Sequence, residues 1–135
     1  MKIVFTNGCF DIFSPGHLHS LEWASKQGDT LIVGVNMDES VKRLKGSSRP
    51  VIPFKDRIDI IKSLRCVDYA VGFNEDTPIE LIKKFKPTII VKGEEYKGKF
   101  VAGQDISEIR YCPRYSGYST TDIINKIKHM YEIGG

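Results

Sequence analysis

Residues 8–17 read GCFDIFSPGH and connect an apolar run, residues 2–6 (KIVFT), to a segment in which apolar residues have helical spacing. Gly8 comes just after the predicted strand, where a residue without a side chain lets the backbone approach a ligand closely. Pro15 and the glycine after it start the predicted helix, whose free N–H groups and dipole attract anions. His17 falls in the first helical turn and can donate to a phosphate. The stretch therefore predicts a strand, a loop and a helix, with either a phosphate-binding loop or a tight turn that carries an incidental histidine.

The composition predicts one cytoplasmic domain, residues 1–135, with a single core. A net charge of +3 is too small for a strongly nucleic-acid-binding surface and suits an anionic small molecule, so we expect no nucleic-acid partner. Cys9, Cys66 and Cys112 form no C-x-x-C pair, so neither a disulfide framework nor a zinc site is indicated. The sequence shows no signal-peptide pattern and no apolar run of about 18 residues, so we expect no membrane span.

Predicted strands and helices alternate along the whole chain. The strands are predicted at residues 2–6, 30–35, 69–73, 88–91 and 106–111. The helices are predicted from residue 18 to a closing Gly28, at 39–44 with Asp38 as its cap, at 54–64, from Thr77-Pro78 onward, and from a capping Ser119 to residue 131. Repeated β-α order predicts an α/β fold, with a doubly wound parallel sheet of about five strands and helices on both faces. In such sheets ligands bind at the carboxyl ends of strands, where the strand order reverses.

Three predicted loops at that edge carry polar residues that suit an anionic ligand. Besides the loop after strand one, the loop after strand four reads VKGEEY at residues 91–96, and the segment before the last helix reads PRYSGYSTT at 113–121. A basic cluster at residues 42–49 adds further cations. Each feature alone is also typical of a charged turn, a helix cap or a solvated face. Together they indicate a nucleotide and a second phosphorylated substrate.

Two of these segments resemble the signatures of a known family. GCFDIFSPGH resembles the G-x-F-D-x-x-H-x-G-H signature of the cytidylyltransferase-like nucleotidylyltransferases, and YSTTDII at residues 118–124 resembles their I-S-T-T run before the last helix. The motifs occur in the family's order, and the resemblance covers essentially the whole chain. It implies a three-layer, Rossmann-like α/β fold.

Two branches of that family compete for the chain. LKGSSRPVIPFKDR (44–57), EDTPIELI (75–82) and IIVKGEEY (89–96) resemble D-glycero-D-manno-heptose-1-phosphate adenylyltransferase, the ADP-heptose synthase domain. PRYSGYSTTDI (113–123) and GEEYKGKF (93–100) instead resemble glycerol-3-phosphate cytidylyltransferase. The first resemblance is longer, and we favour it on that ground.

The resemblance implies nucleotidyl transfer. An oxygen of a sugar phosphate or polyol phosphate attacks the α-phosphorus of ATP or CTP, and pyrophosphate leaves, with Mg²⁺ present. No covalent enzyme intermediate is needed, since the protein positions the phosphates and stabilises their developing charge. The favoured branch implies a role in lipopolysaccharide or cell-surface polysaccharide biosynthesis, and the family resemblance implies a homodimer.

The family motifs also imply roles for individual residues. Four are expected to be catalytic: His17, Ser14, Lys45 and Arg114. The nucleotide is expected to contact Thr6, Gly8, Cys9, Phe10, Gly16, His17, Lys92, Gly93, Glu94, Tyr96, Ser119, Thr120 and Thr121. The acceptor substrate is expected to contact Asp11, Asn36, Lys45 and Arg57. For Asp11 the alternative is a structural role in the loop, and for Arg57 it is a surface ion pair with Asp56 or Asp59.

Ser14 departs from the motif, because it stands where the family has the first histidine. A hydroxyl donates one hydrogen bond and never becomes cationic. Losing a hydrogen-bond donor to charge that develops in the transition state raises the activation free energy by about 3 kcal/mol. His19 cannot easily replace the missing histidine, because it points to a different face of the helix. The enzyme is therefore slow, uses another group, or binds nucleotide without turnover. We expect weak but real catalysis; if this position limits the rate, Ser14→His raises turnover.

The competing hypotheses for the chain as a whole are an inactive nucleotide-binding module and an RNA-binding α/β domain that uses residues 42–49.

Overall fold

Five parallel strands form one sheet in the computed structural model, which describes residues 1–115 and 119–134. The strands are β1 (Ile3–Gly8), β2 (Thr30–Asn36), β3 (Tyr69–Phe73), β4 (Ile89–Gly93) and β5 (Glu108–Cys112). The helices are α1 (Pro15–Ser25), α2 (Asp38–Lys45), α3 (Phe54–Lys62), α4 (Ile79–Phe85) and α5 (Thr120–Gly134), with a 3-10 turn at Glu94–Tyr96. The strand order β3-β2-β1-β4-β5 confirms the predicted doubly wound α/β fold.

Successive strand residues enter two separate cores, one on each face of the sheet. Val4 and Ile89 pack with residues of α1 and α3, whereas the next residues, Phe5 and Ile90, pack with Ile82 of α4. Side chains alternate between the two faces of a strand, so a sheet covered on both faces needs continuous apolar runs. This requirement explains why the strands were recognisable in the sequence. No helix in the described ranges is long and apolar enough to cross a membrane.

Two of the predicted helix ends are confirmed. Pro15 opens α1 after an N-cap at Ser14, and the Ser119 hydroxyl accepts a hydrogen bond from the Asp122 N–H at 3.0 Å. The α4 helix begins one residue later than predicted, because Pro78 occupies the N-cap position.

Two other predicted helix ends are wrong. Asp38 is the first residue of α2 rather than its cap, and its carboxylate accepts from the Phe54 N–H at 2.9 Å instead of from its own helix. Gly28 lies beyond the end of α1 at Ser25. A Cβ at Gly28 would lie 2.8 Å from the Lys2 carbonyl oxygen, so this glycine permits close approach to the chain before β1.

The strands β1 and β4 separate at their carboxyl ends. The β1–β2 ladder continues from Ile3↔Thr30 to Gly8↔Val35, whereas β1 and β4 share only the pairs Val4↔Ile89 and Phe5↔Ile90. Beyond that point side chains bridge the gap: the Thr6 hydroxyl donates to the Val91 carbonyl at 2.9 Å. The separation opens a crevice at the reversal of strand order.

A buried arginine joins the elements on one side of this crevice. The Arg57 side chain is 1% exposed, and its guanidinium donates to the Ile52, Cys9 and Asn36 carbonyl oxygens and to the Asp38 carboxylate at 2.7–2.8 Å. Its ion pair is therefore with Asp38, not with the predicted surface partners. The prediction that Arg57 contacts the acceptor is corrected as well, because the side chain is enclosed by protein and lies outside the cleft described below.

We expect Arg57→Met to lower the free energy of unfolding by about 3 kcal/mol or more, because it leaves three carbonyl oxygens and a carboxylate without their donor. Urea denaturation measures this change. Arg65→Met, at an exposed position, is the matched control and should stay near the parent value. A stable Arg57→Met protein would contradict the role of Arg57 as the tie between these loops.

Candidate active site

The carboxyl ends of the strands form the floor of an open cleft of about 1070 Å³, a volume sufficient for a nucleotide. The three loops predicted to converge do so in their described residues; residues 116–118 of the third loop lie outside the described part of the chain. The predicted site residues that line it are Thr6, Gly8, Cys9, Phe10, Asp11, Ser14, Gly16, His17, Asn36, Lys45, Lys92, Gly93, Tyr96, Arg114, Ser119, Thr120 and Thr121. The structure thus gathers residues from both ends of the chain at one edge of the sheet.

Glu94 is a predicted nucleotide-binding residue that lies beside the cleft, between Gly93 and Glu95, which line it. Its carboxylate accepts a hydrogen bond from the Arg114 N–H at 2.9 Å, so it contacts the segment that follows β5. Its contact with nucleotide stays a prediction. Arg114 itself lines the cleft.

Ser14 and His17 form a capping box at the start of α1. The Ser14 hydroxyl accepts from the His17 N–H at 3.4 Å, and the His17 Nδ1 accepts from the Ser14 N–H at 3.1 Å. Histidine here takes the place of the glutamate or glutamine usual in this motif. Burial lowers the pKa of His17; Asp11 opposes that shift and Lys45 reinforces it. The lowered pKa and the Ser14 N–H that points at Nδ1 both favour a neutral imidazole with Nδ1 as an acceptor.

Asp11 holds a strained loop against the segment before α3. Its neighbours Phe10 and Ile12 have positive φ angles of 52° and 54°, which bulky side chains rarely adopt. The carboxylate accepts from the Arg49 Nε at 2.7 Å and from the Val51 N–H at 2.8 Å.

A third bond to the same carboxylate comes from the Ile52 N–H at 2.9 Å. Burial alone would raise the pKa of Asp11, but these donors outweigh it and hold the pKa below its usual range. The side chain is 1% exposed, so the structural role in the loop fits it better than the predicted acceptor contact.

The start of α5 is tied to this same loop. The Thr120 hydroxyl donates to the Asp11 carbonyl at 2.6 Å, while the Ser119 hydroxyl caps the helix. Both hydroxyls therefore already have protein partners. The segment also contacts α1, since the Tyr115 and His19 rings stack with their centroids 5.2 Å apart. Side-chain contacts therefore join the segment around α5 to the loop after β1 and to α1.

Lys92 and Asn7 bridge the gap between β4 and β1. The Lys92 ammonium donates to the Asn7 side-chain oxygen at 3.0 Å and lies 5.1 Å from the Tyr96 ring centroid. Burial lowers the pKa of Lys92, although Glu95 opposes the shift. Within residues 1–115 and 119–134, Lys92 forms no ion pair. A desolvated ammonium without a carboxylate partner is suited to an anionic ligand.

Sequence reasoning did not select Asn7. The one available signal was a polar residue at the end of an otherwise apolar strand, immediately before the loop glycine. Gly8 also has a packing reason that the sequence did not reveal: a Cβ there would lie 3.0 Å from the Phe10 ring. Phe10 is 7% exposed and belongs to the core, although it also lines the cleft, and its contact with nucleotide stays a prediction.

The basic cluster at residues 42–49 divides into two groups. Lys42 and Arg43 pair on the surface with Glu39 and Asp76. Lys45 and Arg49 instead line the cleft, although Arg49 is paired with the carboxylate in the loop after β1. Lys42 and Arg43 therefore fit the alternative of a solvated face, whereas Lys45 and Arg49 belong to the candidate site.

The sequence matches the model of the family described as Cytidylyltransferase-like over residues 5–126. The chain belongs to the cytidylyltransferase-like family. It is 53% identical over 131 residues to the bifunctional protein HldE of Helicobacter pylori, covering 96% of the chain and 28% of that protein. It is 56% identical over 128 residues to the protein of the same name from a Nitratiruptor species, covering 94% of the chain and 28% of that protein. The chain thus spans little more than a quarter of the length of these relatives.

Solved structures agree with this family assignment. The lipopolysaccharide core biosynthesis protein of Thermoplasma volcanium superposes with a TM-score of 0.69 at 30% identity, covering 88% of this chain and 99% of that one. A nicotinate-nucleotide adenylyltransferase described as putative, from Vibrio parahaemolyticus, superposes with a TM-score of 0.62 at 17% identity, covering 96% of this chain and 88% of that one. The second likeness shows the fold alone. The sequence-based resemblance to cytidylyltransferase-like proteins and the Rossmann-like architecture are both confirmed.

The Asp11 network predicts an acid-sensitive contribution to stability. A carboxylate whose folded-state pKa is lowered stabilises the protein above its unfolded pKa of about 3.9, and this contribution is lost as the pH falls toward the folded-state value. Asp11→Asn should therefore be less stable than the parent at pH 7, with the difference shrinking below about pH 4. Urea denaturation across this pH range measures it. Asp59→Asn, on the exposed face of α3, is the control, and a pH-independent difference for Asp11→Asn would contradict the assignment.

Proposed function

We propose that this chain is a nucleotidylyltransferase that transfers a nucleoside monophosphate from a nucleoside triphosphate to a sugar phosphate, releasing pyrophosphate. The single observation that carries the proposal is the cleft, in which the amino ends of α1 and α5 meet cations from three other segments. His17, Lys45, Lys92 and Arg114 all line it. Membership of the cytidylyltransferase-like family supports this reaction class over an RNA-binding domain.

For the substrates, we propose ATP and a heptose 1-phosphate. Support comes from the length of the heptose-type resemblance at residues 44–57, 75–82 and 89–96, and from more than 50% identity to proteins named HldE, the ADP-heptose synthase. The likeness to a lipopolysaccharide core biosynthesis protein supports a place in cell-surface sugar biosynthesis. The glycerol-3-phosphate cytidylyltransferase alternative has no comparable support.

In the proposed mechanism the protein positions two phosphate groups in line and offsets charge as it develops. The Gly16 N–H at the start of α1, the helix dipole and the neutral His17 serve as preorganised groups for the triphosphate, since Pro15 has no N–H and the His17 N–H is bonded to Ser14. Lys45 at the end of α2 and Arg114 after β5 neutralise phosphate charge in the cleft, and Lys92 attracts an anion at the separation of β1 and β4. Burial raises the pKa of the Cys9 thiol, which suits a step without a covalent enzyme intermediate.

We propose that Mg²⁺ arrives bound to the nucleotide. Within the described parts of the chain, no group of three or more His, Cys, Asp or Glu side chains is arranged to hold a metal ion. Mg²⁺ commonly uses one or two carboxylates together with substrate phosphates, and Glu95 and Asp122 line the cleft as candidate partners. When bound, the metal would neutralise charge on the transferring and leaving phosphates. We further propose that residues 1–135 form one nucleotidylyltransferase domain that associates as a homodimer in the cytoplasm. Analytical ultracentrifugation tests the dimer.

Nucleotide preference is tested by thermal shift with ATP and with CTP, each with and without Mg²⁺. Binding to the native state alone contributes about 2.7 kcal/mol at a hundredfold excess over Kd. We expect the melting temperature to rise with ATP and to change little with CTP. A rise with CTP alone would transfer the proposal to the glycerol-phosphate branch, and no rise with either would contradict nucleotide binding.

We expect His17→Gln to lower turnover about a hundredfold, because it replaces the imidazole Nε2–H donor. Glutamine is a usual capping-box residue at this position, so the melting temperature should change little. The measurement is pyrophosphate release from ATP and heptose 1-phosphate. His129→Gln, on the exposed surface of α5, is the matched control. Unchanged turnover in His17→Gln would exclude the proposed role of His17.

A further inference from the structure

The serine that replaces the first motif histidine lies at the edge of the cleft, but its hydroxyl is engaged by His17 rather than free as a substitute donor. Ser14 is 3% exposed, and its hydroxyl lies between two atoms of one residue, the N–H and the Nδ1 of His17, at 3.4 and 3.3 Å. A hydroxyl has one proton to donate and lone pairs to accept with. It accepts from the His17 N–H, so its own proton is available to Nδ1.

The surrounding donors determine which nitrogen of His17 carries a proton. The Ser14 N–H and the Ser14 hydroxyl both approach Nδ1, at 3.1 and 3.3 Å. A protonated Nδ1 would face the backbone donor with no lone pair and would leave that N–H unpaired. A neutral ring with its proton on Nε2 satisfies both contacts.

The rest of the environment favours the same neutral ring. Phe10 and Phe13 pack against the imidazole with centroids 5.5 Å away, which removes water from it. Two charged groups in the described part of the chain act on His17: Asp11 from the loop after β1, which favours the cation, and Lys45 from α2, which opposes it. The Asp11 carboxylate already accepts three hydrogen bonds from the segment before α3, so its charge is largely offset.

We propose that Ser14 is a positioning residue that caps α1 and fixes His17 in its Nε2–H tautomer, so that one neutral imidazole donor works where the family motif has two histidines. For turnover, this inference rests on the proposed function; for the tautomer it does not. Ser14→His would remove both hydrogen bonds of the hydroxyl. We therefore revise the expectation from the sequence: Ser14→His should not raise turnover.

Asparagine and aspartate at position 14 form a matched pair for the test. Both are good N-caps with the same shape, so both preserve the bond from the His17 N–H. Only asparagine has an N–H group to donate to Nδ1, whereas a carboxylate there favours a proton on Nδ1. Ring nitrogen spectra of ¹⁵N-histidine-labelled protein report the tautomer directly. The sequence has three histidines, and His17→Gln assigns the signal of interest.

We expect the parent chain and Ser14→Asn to show a neutral His17 with its proton on Nε2 at pH 7. Ser14→Asp should move a proton onto Nδ1, raise the pKa of His17, and lower kcat for pyrophosphate release at least about tenfold relative to Ser14→Asn at a similar melting temperature. A proton on Nδ1 in the parent chain would overturn the proposal, and this spectrum decides the matter even if Ser14→Asp does not fold.

Identical ring spectra for the two variants would also overturn the proposal, because Ser14 would then act only as a helix cap. If the spectra behave as expected but neither the parent nor Ser14→Asn releases pyrophosphate, the tautomer assignment stands and the proposed function fails. The spectroscopic and kinetic readouts therefore separate the two claims.

Discussion

The buried guanidinium of Arg57 is the interaction on which the site depends. One side chain binds carbonyl oxygens from the loop after β1, the end of β2 and the segment before α3, together with the Asp38 carboxylate of α2. Parallel strands leave such loop carbonyls without partners at the carboxyl edge of a sheet. Water would satisfy them in an open structure, but here one planar group with five donors does so. Arg57 therefore holds the backbone at the start of the loop after β1.

Asp11 also holds the loop after β1, by binding the segment before α3. It gathers two backbone N–H groups and Arg49, while its own carbonyl accepts from Thr120 at the start of α5. The positive φ angles on both sides of Asp11 carry a conformational cost that persists only when contacts of this kind oppose it. The consequence is that the amino ends of α1 and α5, which start more than a hundred residues apart in sequence, lie at one cleft and are linked through Asp11.

The fold and most of the cleft were predictable because each rests on a local pattern. Continuous apolar runs such as residues 30–35 mark doubly covered strands, and βα alternation then leaves one edge for ligands. The role of Arg57 was not predictable, because most of its partners come from two distant segments, the loop after β1 and the end of β2 with the start of α2, and a helical position gives no sign of burial. Asp38 was misassigned for a related reason: a helix-start aspartate is usually a cap, and its distant partners Phe54 and Arg57 are invisible in the sequence.

A neutral His17 is compatible with the proposed phosphate chemistry because lysine and arginine side chains also line the cleft. Lys45, Lys92 and Arg114 line it from different segments and carry charge without depending on an imidazole. A second ionisable histidine at position 14 would add a group whose charge burial opposes, next to a helix start whose dipole is already positive. A hydroxyl avoids both costs and still caps the helix. In this chain lysine and arginine supply the positive charge, and His17 supplies a hydrogen-bond donor of fixed direction. A serine instead of a histidine at position 14 therefore means one donor fewer, but Ser14 keeps the His17 ring in place.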